Sequence, residues 1–365
     1  MTTEPIAMVS SRAQPDIGGV ESHVAEVAGR LARAGHQLEV LTTDRSGQLR
    51  RVEEYDGYQV RRFRSYPTHR DWYFSPGLFF ALLRGRHAFV HVQGVHTLVP
   101  PMAMLAAWLK RKPYMLTFHS GGHSSPFRER ARATQWRLLG PLLRRARVLV
   151  GVSEFEAHRF ETALHLSAGS IRVIRNGGSL PSPSSGVSPD PDLVVSVGRL
   201  ERYKGHHRAI EALPELLAHR PNAHLQILGA GPYEGELRAI AQRLGVANRV
   251  EVTLVPPPDR QQMADRLAQA GVMVLLSDYE AHPVAVMEAL AAGRPAVVAR
   301  TSGLTELADM GWVEGVDANA SPAAVAAAIN RQLSDPVVPD ADKLPTWETC
   351  VEALSATYHE ILAAG

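Results

Sequence analysis

Cysteine is almost missing: Cys350 is the single one in 365 residues. This excludes a disulfide framework and a cysteine-based zinc site, and a reducing, cytoplasmic setting is expected. No apolar run reaches the roughly 20 residues that a membrane-spanning helix needs. MTTEP, at the start, lacks the charged and apolar regions of a signal peptide. An excess of one charge is also missing, since 39 Lys+Arg against 37 Asp+Glu leave +2, and no nucleic-acid partner is expected. The D-x-D spacing that sets two carboxylates on a metal occurs only at Asp190/Asp192 and Asp340/Asp342, both in Pro-rich stretches. His119-x3-His123 has the spacing of a helical zinc pair, but SGGHSSP is no helix and no Glu follows His119. No metal site is therefore expected. Lysine is confined to Lys110, Lys112, Lys204 and Lys343, which singles out Lys204 among abundant arginines.

The length suits two domains, and 45% hydrophobic with 21% charged residues is the make-up of a globular protein. Apolar runs at 5–11, 37–43, 58–64, 89–94, 114–119, 148–153 and 171–177 read as strands, most of them separated by helical stretches. Ser153 caps a helix over 154–166. The Ser-, Pro- and Gly-rich stretch 178–192 reads as a linker. A second α/β series follows, with strands at 193–200, 225–231, 250–254, 272–276 and 295–299. The expected domains are 1–177 together with 346–365, and 193–345. The last helix, 347–362, gathers Trp347, Val351, Leu354, Tyr358 and Leu362 near one face.

Three stretches carry chemistry. In SDYEAHPVAVMEALAAG (277–293) a strand leads through a polar loop into a helix, with Pro283 at its start and Gly293 past its end. Glu280 lies in the loop outside the strand's carboxyl end, where open α/β sheets bind ligands, and Glu288 lies about two turns into the helix. Backbone N–H groups around His282, Pro283 and Val284 are placed for hydroxyls or an anion. In VGRLERYKG (197–205), Arg199 ends a strand and Lys204 follows, two cations suited to a diphosphate. Gly18–Gly19 sits at a strand-to-helix turn, either to let backbone N–H groups approach a phosphate or to make a tight turn with positive φ.

The E-x7-E block followed by A-G-R-P-A-V-V resembles the donor-site signature of family 4 retaining glycosyltransferases. G-R-L-x-x-x-K-G at 198–205, G-G-V-E at 18–21, T-F-H at 117–119, V-I-R-N-G at 173–177 and G-A-G-P at 229–232 match the same family in order. The resemblance, and an arginine- and alanine-rich composition, suggest a bacterial member. It implies the GT-B fold: two Rossmann-like domains facing across a cleft, with the C-terminal helix crossing back to the N-terminal domain. It further implies that Arg199 and Lys204 neutralise the diphosphate of a nucleotide-sugar donor, with the Gly18–Gly19 turn approaching from the other domain. Glu288 then holds the ribose, Glu280 and the N–H groups around His282–Val284 lie at the donor sugar, and His119 lies near the reacting centre. In such enzymes the leaving phosphate takes the acceptor's proton, so positioning and electrostatics do the catalysis without cofactor or metal.

The sequence departs from the family at Glu280-Ala281-His282-Pro283, which lacks two usual glycines, at Gly177-Gly178-Ser179, and at TLVPPPD (253–259). The sugar and the base are thereby left open, and a uridine diphosphate donor is chosen as the commonest. The expected acceptor is a small soluble molecule. The basic, aromatic run 61–74 and the arginines from Arg128 to Arg147 leave a membrane surface with a lipid-linked or glycan acceptor as the alternative. A sugar-nucleotide epimerase, a non-catalytic binder, and an oxidoreductase using Gly229–Gly231 are the readings from other classes.

Overall fold

A computed structural model describes residues 4–16, 18–70, 72–120, 135–136, 138–256 and 259–364. Asp71, His123, the arginines Arg128, Arg130, Arg132 and Arg137, and Pro257–Pro258 lie outside the described residues. The chain packs as two units. Among the described residues, unit 1 holds those up to Ser120, those from 135 to Asn176, and the C-terminal stretch from Trp347; unit 2 holds Gly177–Thr346.

In unit 1 the strands are β1 (Ile6–Ser10), β2 (Leu38–Asp44), β3 (Val52–Tyr55), β4 (Tyr58–Arg64), β5 (Val90–Gln93), β6 (Tyr114–Thr117), β7 (Val148–Gly151) and β8 (Arg172–Val173). They form one sheet in the order β3-β4-β2-β1-β5-β6-β7-β8, parallel except for β3. The central strands β1, β5 and β6 are buried along their whole length, because helices cover a parallel sheet on both faces. β3 was not expected. It pairs with β4 through Asp56-Gly57, both with φ positive at 41° and 82°, the backbone of a tight hairpin.

The C-terminal helix Trp347–Ala363 belongs to unit 1 and buries Trp347, Val351, Leu354, Tyr358 and Ile361. Ile361 thus takes the place expected of Leu362. Arg30–Glu348 at 2.9 Å, Arg172–Glu360 at 2.8 Å and His36–Ser355 at 2.7 Å fasten its outer face to the same unit.

Unit 2 has β9 (Leu193–Val197), β10 (His224–Leu228), β11 (Val250–Thr253), β12 (Val272–Leu275), β13 (Ala296–Ala299) and β14 (Glu314–Val316) in the order β11-β10-β9-β12-β13-β14. All its pairs are parallel. The stretch 178–192 carries no helix or strand, but it is not a loose tether. Ser184 gives its N–H and hydroxyl to Asp265 at 2.7 and 2.8 Å, and the Asp190 N–H meets the Gln269 carbonyl at 2.8 Å. Asp192 is tied to Arg220 at 3.2 Å.

Gly205 ends the loop after β9 with φ +73°, and a Cβ there would lie 2.0 Å from the Leu276 carbonyl oxygen at the end of β12. The close approach of these two loops requires glycine. Gly205→Ala is expected to lower the unfolding free energy by more than about 2 kcal/mol, measured in urea. A loss below about half of that would show that the loops have room to separate.

Candidate functional site

In unit 2 the chain runs from β9 outward through β10 to β11, then returns to place β12 on the other side of β9. Loops after β9 and β12 therefore diverge to opposite faces, which opens a crevice at the strands' carboxyl ends. These loops carry the residues singled out in the sequence. Lys204, in a short 3-10 turn over Arg202–Lys204, places Nζ 2.6 Å from Glu280 Oε1. The Ser277 hydroxyl donates to the same oxygen at 2.9 Å. Glu280 is held at its backbone too. Its N–H donates to Ser302 Oγ at 2.7 Å, and its carbonyl accepts from the Gly303 N–H at 2.9 Å. Both side chains of the pair are largely buried. Burial alone would lower the ammonium pKa, but the carboxylate beside it raises it above the usual value.

Arg199 is half exposed and bonded locally, to Glu201 at 3.0 Å and to the Tyr203 hydroxyl at 3.0 Å. His206 fixes the loop from beneath. Its Nδ1 takes the Ser196 hydroxyl at 2.8 Å and its Nε2–H reaches the Arg199 carbonyl at 3.3 Å, with burial holding it neutral at a pKa of about 4.

Glu288 is buried on the helix Val284–Ala291 and paired with Arg260, whose guanidinium also donates to the Ser179 carbonyl at 3.2 Å. Pro283 occupies the cap, one residue before the helix rather than inside it. It has no N–H, so the backbone donors of this helix end are those of Val284, Ala285 and Val286, with the His282 N–H one residue before the cap. His282 is buried.

Unit 1 reverses its strand order between β1 and β5 in the same way. Neither Gly18 nor Gly19 adopts the left-handed φ of a tight turn: Gly18 is extended at φ 164°. A Cβ on Gly18 would meet the Glu21 carboxylate, and one on Gly19 nothing within 4 Å. His119, two residues beyond β6, is buried with Nε2 2.8 Å from Gln93 Oε1, and its carbonyl accepts from His96. Burial first, and then His23, His91 and His96, hold its pKa well below the usual value, so it is neutral. His23 lies edge-on to it with ring centres 4.5 Å apart and bonds Asn176 at 2.8 Å.

Sequence reasoning did not single out His23, His91, Gln93 or Glu156. The Glu156 carboxylate joins the ends of β6 and β7 by accepting from the Ser120 N–H at 2.6 Å and the Val152 N–H at 2.9 Å. The alternation H-x-Q in β5 beside T-x-H running out of the end of β6 was the available signal, but it has meaning only once the two strands are known to be neighbours.

Family models account for nearly the whole chain: "Glycosyltransferase Family 4" matches residues 17–179 and "Glycosyl transferases group 1" residues 182–345. The chain is a family 4 glycosyltransferase. It is 26% identical to a D-inositol 3-phosphate glycosyltransferase of Jonesia denitrificans over 81% of this chain and 79% of that one. With a glycogen synthase of Mycobacterium tuberculosis it shares 29% identity over 91% and 86% of the two chains. Among solved structures, sucrose-phosphate synthase from Thermosynechococcus elongatus matches 99% of this chain and 100% of its own with a TM-score of 0.78 at 22% identity. HepE of Anabaena, in complex with UDP-glucose, matches 98% and 100% with a TM-score of 0.77 at 19% identity. The transferase is thus of the retaining type and has the GT-B fold. Among the described residues no helix is long and apolar enough to cross a membrane.

The Lys204 pKa is raised in the folded state, so the pair's contribution is complete below the usual lysine value of 10.5 and is lost as pH climbs through the raised value. Glu280→Gln is expected to destabilise the transferase by about 2 kcal/mol at neutral pH, between exposed and fully buried pairs. It should also move alkaline unfolding, followed by circular dichroism, to lower pH. An unchanged alkaline midpoint would mean that the pair adds nothing to stability.

Proposed function

We propose that the transferase takes a sugar from a nucleoside-diphosphate donor, uridine diphosphate in this reading, and passes it with retention to a hydroxyl of a small soluble acceptor. The observation that carries the donor half is the Lys204–Glu280 pair where the strand order of unit 2 reverses. A cation held at the carboxyl edge of a parallel sheet, with Arg199 on the same loop, is what a diphosphate needs as it accumulates charge in leaving. In this assignment Arg199 and Lys204 take the diphosphate, Glu280 and the N–H groups from His282 to Ala285 take the sugar hydroxyls, and Glu288, steadied by Arg260, takes the ribose. The family resemblance assigns Gly18, Gly19 and His119 to the reaction as well. A neutral histidine suits this, because it can both donate to and accept from hydroxyls without adding charge.

The choice of uridine diphosphate draws support from HepE, which was solved with UDP-glucose. The two arginine and lysine cations do what a divalent ion does elsewhere, so no metal is required in this reading. A second reading, a lipid-linked acceptor at a membrane surface, is favoured by one feature. Phe80, Leu105, Trp108 and Leu109 are exposed on two helices of unit 1 that pack together, with Arg84 over Phe80 and Arg145 over Trp108.

The first test is a thermal-shift screen with nucleoside mono- and diphosphates, nucleotide sugars and nicotinamide cofactors. A ligand at a hundred times its Kd stabilises by about 2.7 kcal/mol. Stabilisation is expected with uridine diphosphate and its sugars, and is expected to be lost in Lys204→Ala and Glu288→Ala. A shift confined to another nucleoside diphosphate would reassign the base. Arg199→Ala and Lys204→Ala are each expected to lower turnover at least about ten- to a hundredfold with the fold intact. Near-wild-type turnover in both would overturn the diphosphate assignment. Donor turnover in excess EDTA should stay unchanged, and a loss restored by a divalent ion would overturn the metal-free reading.

A further inference from the structure

Two neighbouring helices of unit 1 lie in a stretch without acidic residues. From Trp72 to Ser120 the sequence has no Asp or Glu, but it has Arg84, Arg86, Lys110, Arg111 and Lys112. The whole chain carries +2, so this stretch carries +5 and the rest of the chain −3 (2 minus 5). The five cations gather where the helices Pro76–Arg84 and Val99–Leu109 end. Lys110 Nζ lies 2.7 Å from the Gly85 carbonyl and ties the two ends together. Lys112 is paired with Glu4 at 3.0 Å, whereas Arg84, Arg86 and Arg111 have no ion-pair partner among the described residues. Arg145 adds a cation over the Trp108 ring, 5.7 Å from its centre.

The surface between these cations is apolar. The whole helix Val99–Leu109, VPPMAMLAAWL, has no polar side chain. One face, with Ala103, Met104, Ala106 and Ala107, is buried in unit 1. The other face holds Leu105, Trp108 and Leu109, which are 37%, 48% and 54% exposed. A helix of a globular protein turns charged and polar residues to water instead. On the neighbouring helix Phe80 is 47% exposed, with the Arg84 guanidinium 5.4 Å from its ring centre. Phe80 and Arg84 also line a groove of about 500 Å³ with Arg51, Arg61 and Phe63.

We propose that this surface of unit 1 docks on an anionic lipid bilayer, with Leu105, Trp108 and Leu109 in the headgroup region and the arginines on lipid phosphates. Apolar and aromatic side chains rimmed by Lys and Arg suit the boundary between headgroups and acyl chains. Each cation near such a surface is drawn to its negative charge. A second copy of the chain fits less well, because a two-fold contact sets the same cations against each other. The docking rests on no assignment of donor or acceptor, and a lipid-linked acceptor would lie on the same surface.

The test is cosedimentation of the full chain with phosphatidylcholine vesicles, with and without an equal part of phosphatidylglycerol. Binding is expected to the mixed vesicles, at least about tenfold weaker to phosphatidylcholine alone, and weakened by added salt. The double variant Trp108→Ser, Leu109→Ser is expected to bind mixed vesicles at least about tenfold more weakly. Arg84→Gln and Arg111→Gln are each expected to bind them roughly fivefold more weakly. These side chains are exposed, so every variant should melt close to wild type. No binding to mixed vesicles overturns the proposal. Equal binding to both vesicle types overturns it, as does undiminished binding by the double variant.

Sedimentation velocity without lipid tests the other occupant. A dimer that the double variant splits, in a protein that binds no vesicles, gives the surface to a second copy and overturns the proposal. The thermal shift with uridine diphosphate reads the donor site separately, and it is expected to be equal in wild type and the double variant. Vesicle binding by a protein that no nucleotide stabilises supports the docking and overturns the donor reading alone.

Discussion

The contact between the Lys204 ammonium and the Glu280 carboxylate, 2.6 Å long, is the constraint on which the donor half depends. It exists because two loops that leave the sheet in opposite directions begin on adjacent strands, β9 and β12. Taking these charges out of water is unfavourable unless both are met. Ser277, Ser302 and the Gly303 N–H supply the remaining partners around Glu280, and Gly205 lets the loops approach. The same arrangement that satisfies the ion pair leaves a cation at the carboxyl edge of the sheet.

Unit 1 solves a different problem. Its carboxyl edge near β5 and β6 holds neutral histidines, and burial keeps them neutral: His23 at about 4, His91 at about 3, and His119 well below the usual value. Neutral rings offer directed donors and acceptors without adding charge. Their hydrogen bonds run to residues distant along the chain, among them Tyr358, whose hydroxyl lies 2.6 Å from His91 Nδ1. The terminal helix is therefore part of the unit's polar interior as well as its apolar core. Trp347 and Tyr358 are its largest fully buried side chains.

The comparison of sequence and structure divides along physical lines. Strand β4, read as 58–64, is Tyr58–Arg64, and the Ser153 cap accepts the Glu156 N–H as expected, since apolar runs and caps are local signals. The Asp56-Gly57 hairpin signal was present but went unread, because β3 is four residues long and exposed at alternate positions, with little apolar pattern. The Gly18–Gly19 doublet shows the opposite: its composition suggested a positive-φ turn, yet neither residue takes one. The Ser-Pro-Gly stretch had the composition of a linker, and composition carried no information about the Asp265 side chain that pins it.

By itself the sequence determined the alternation of strands and helices, the family, the loops on which Arg199, Lys204 and Glu280 sit and the helix that carries Glu288, because each follows from residues within a few positions of one another. Only the tertiary structure decided the partners: Lys204 with Glu280, Glu288 with Arg260, His119 with Gln93, His91 with Tyr358. The reason is that strand order, not chain order, brings these side chains within hydrogen-bonding distance. A single sequence states which residues end each strand, and the sheet decides which strand ends are neighbours.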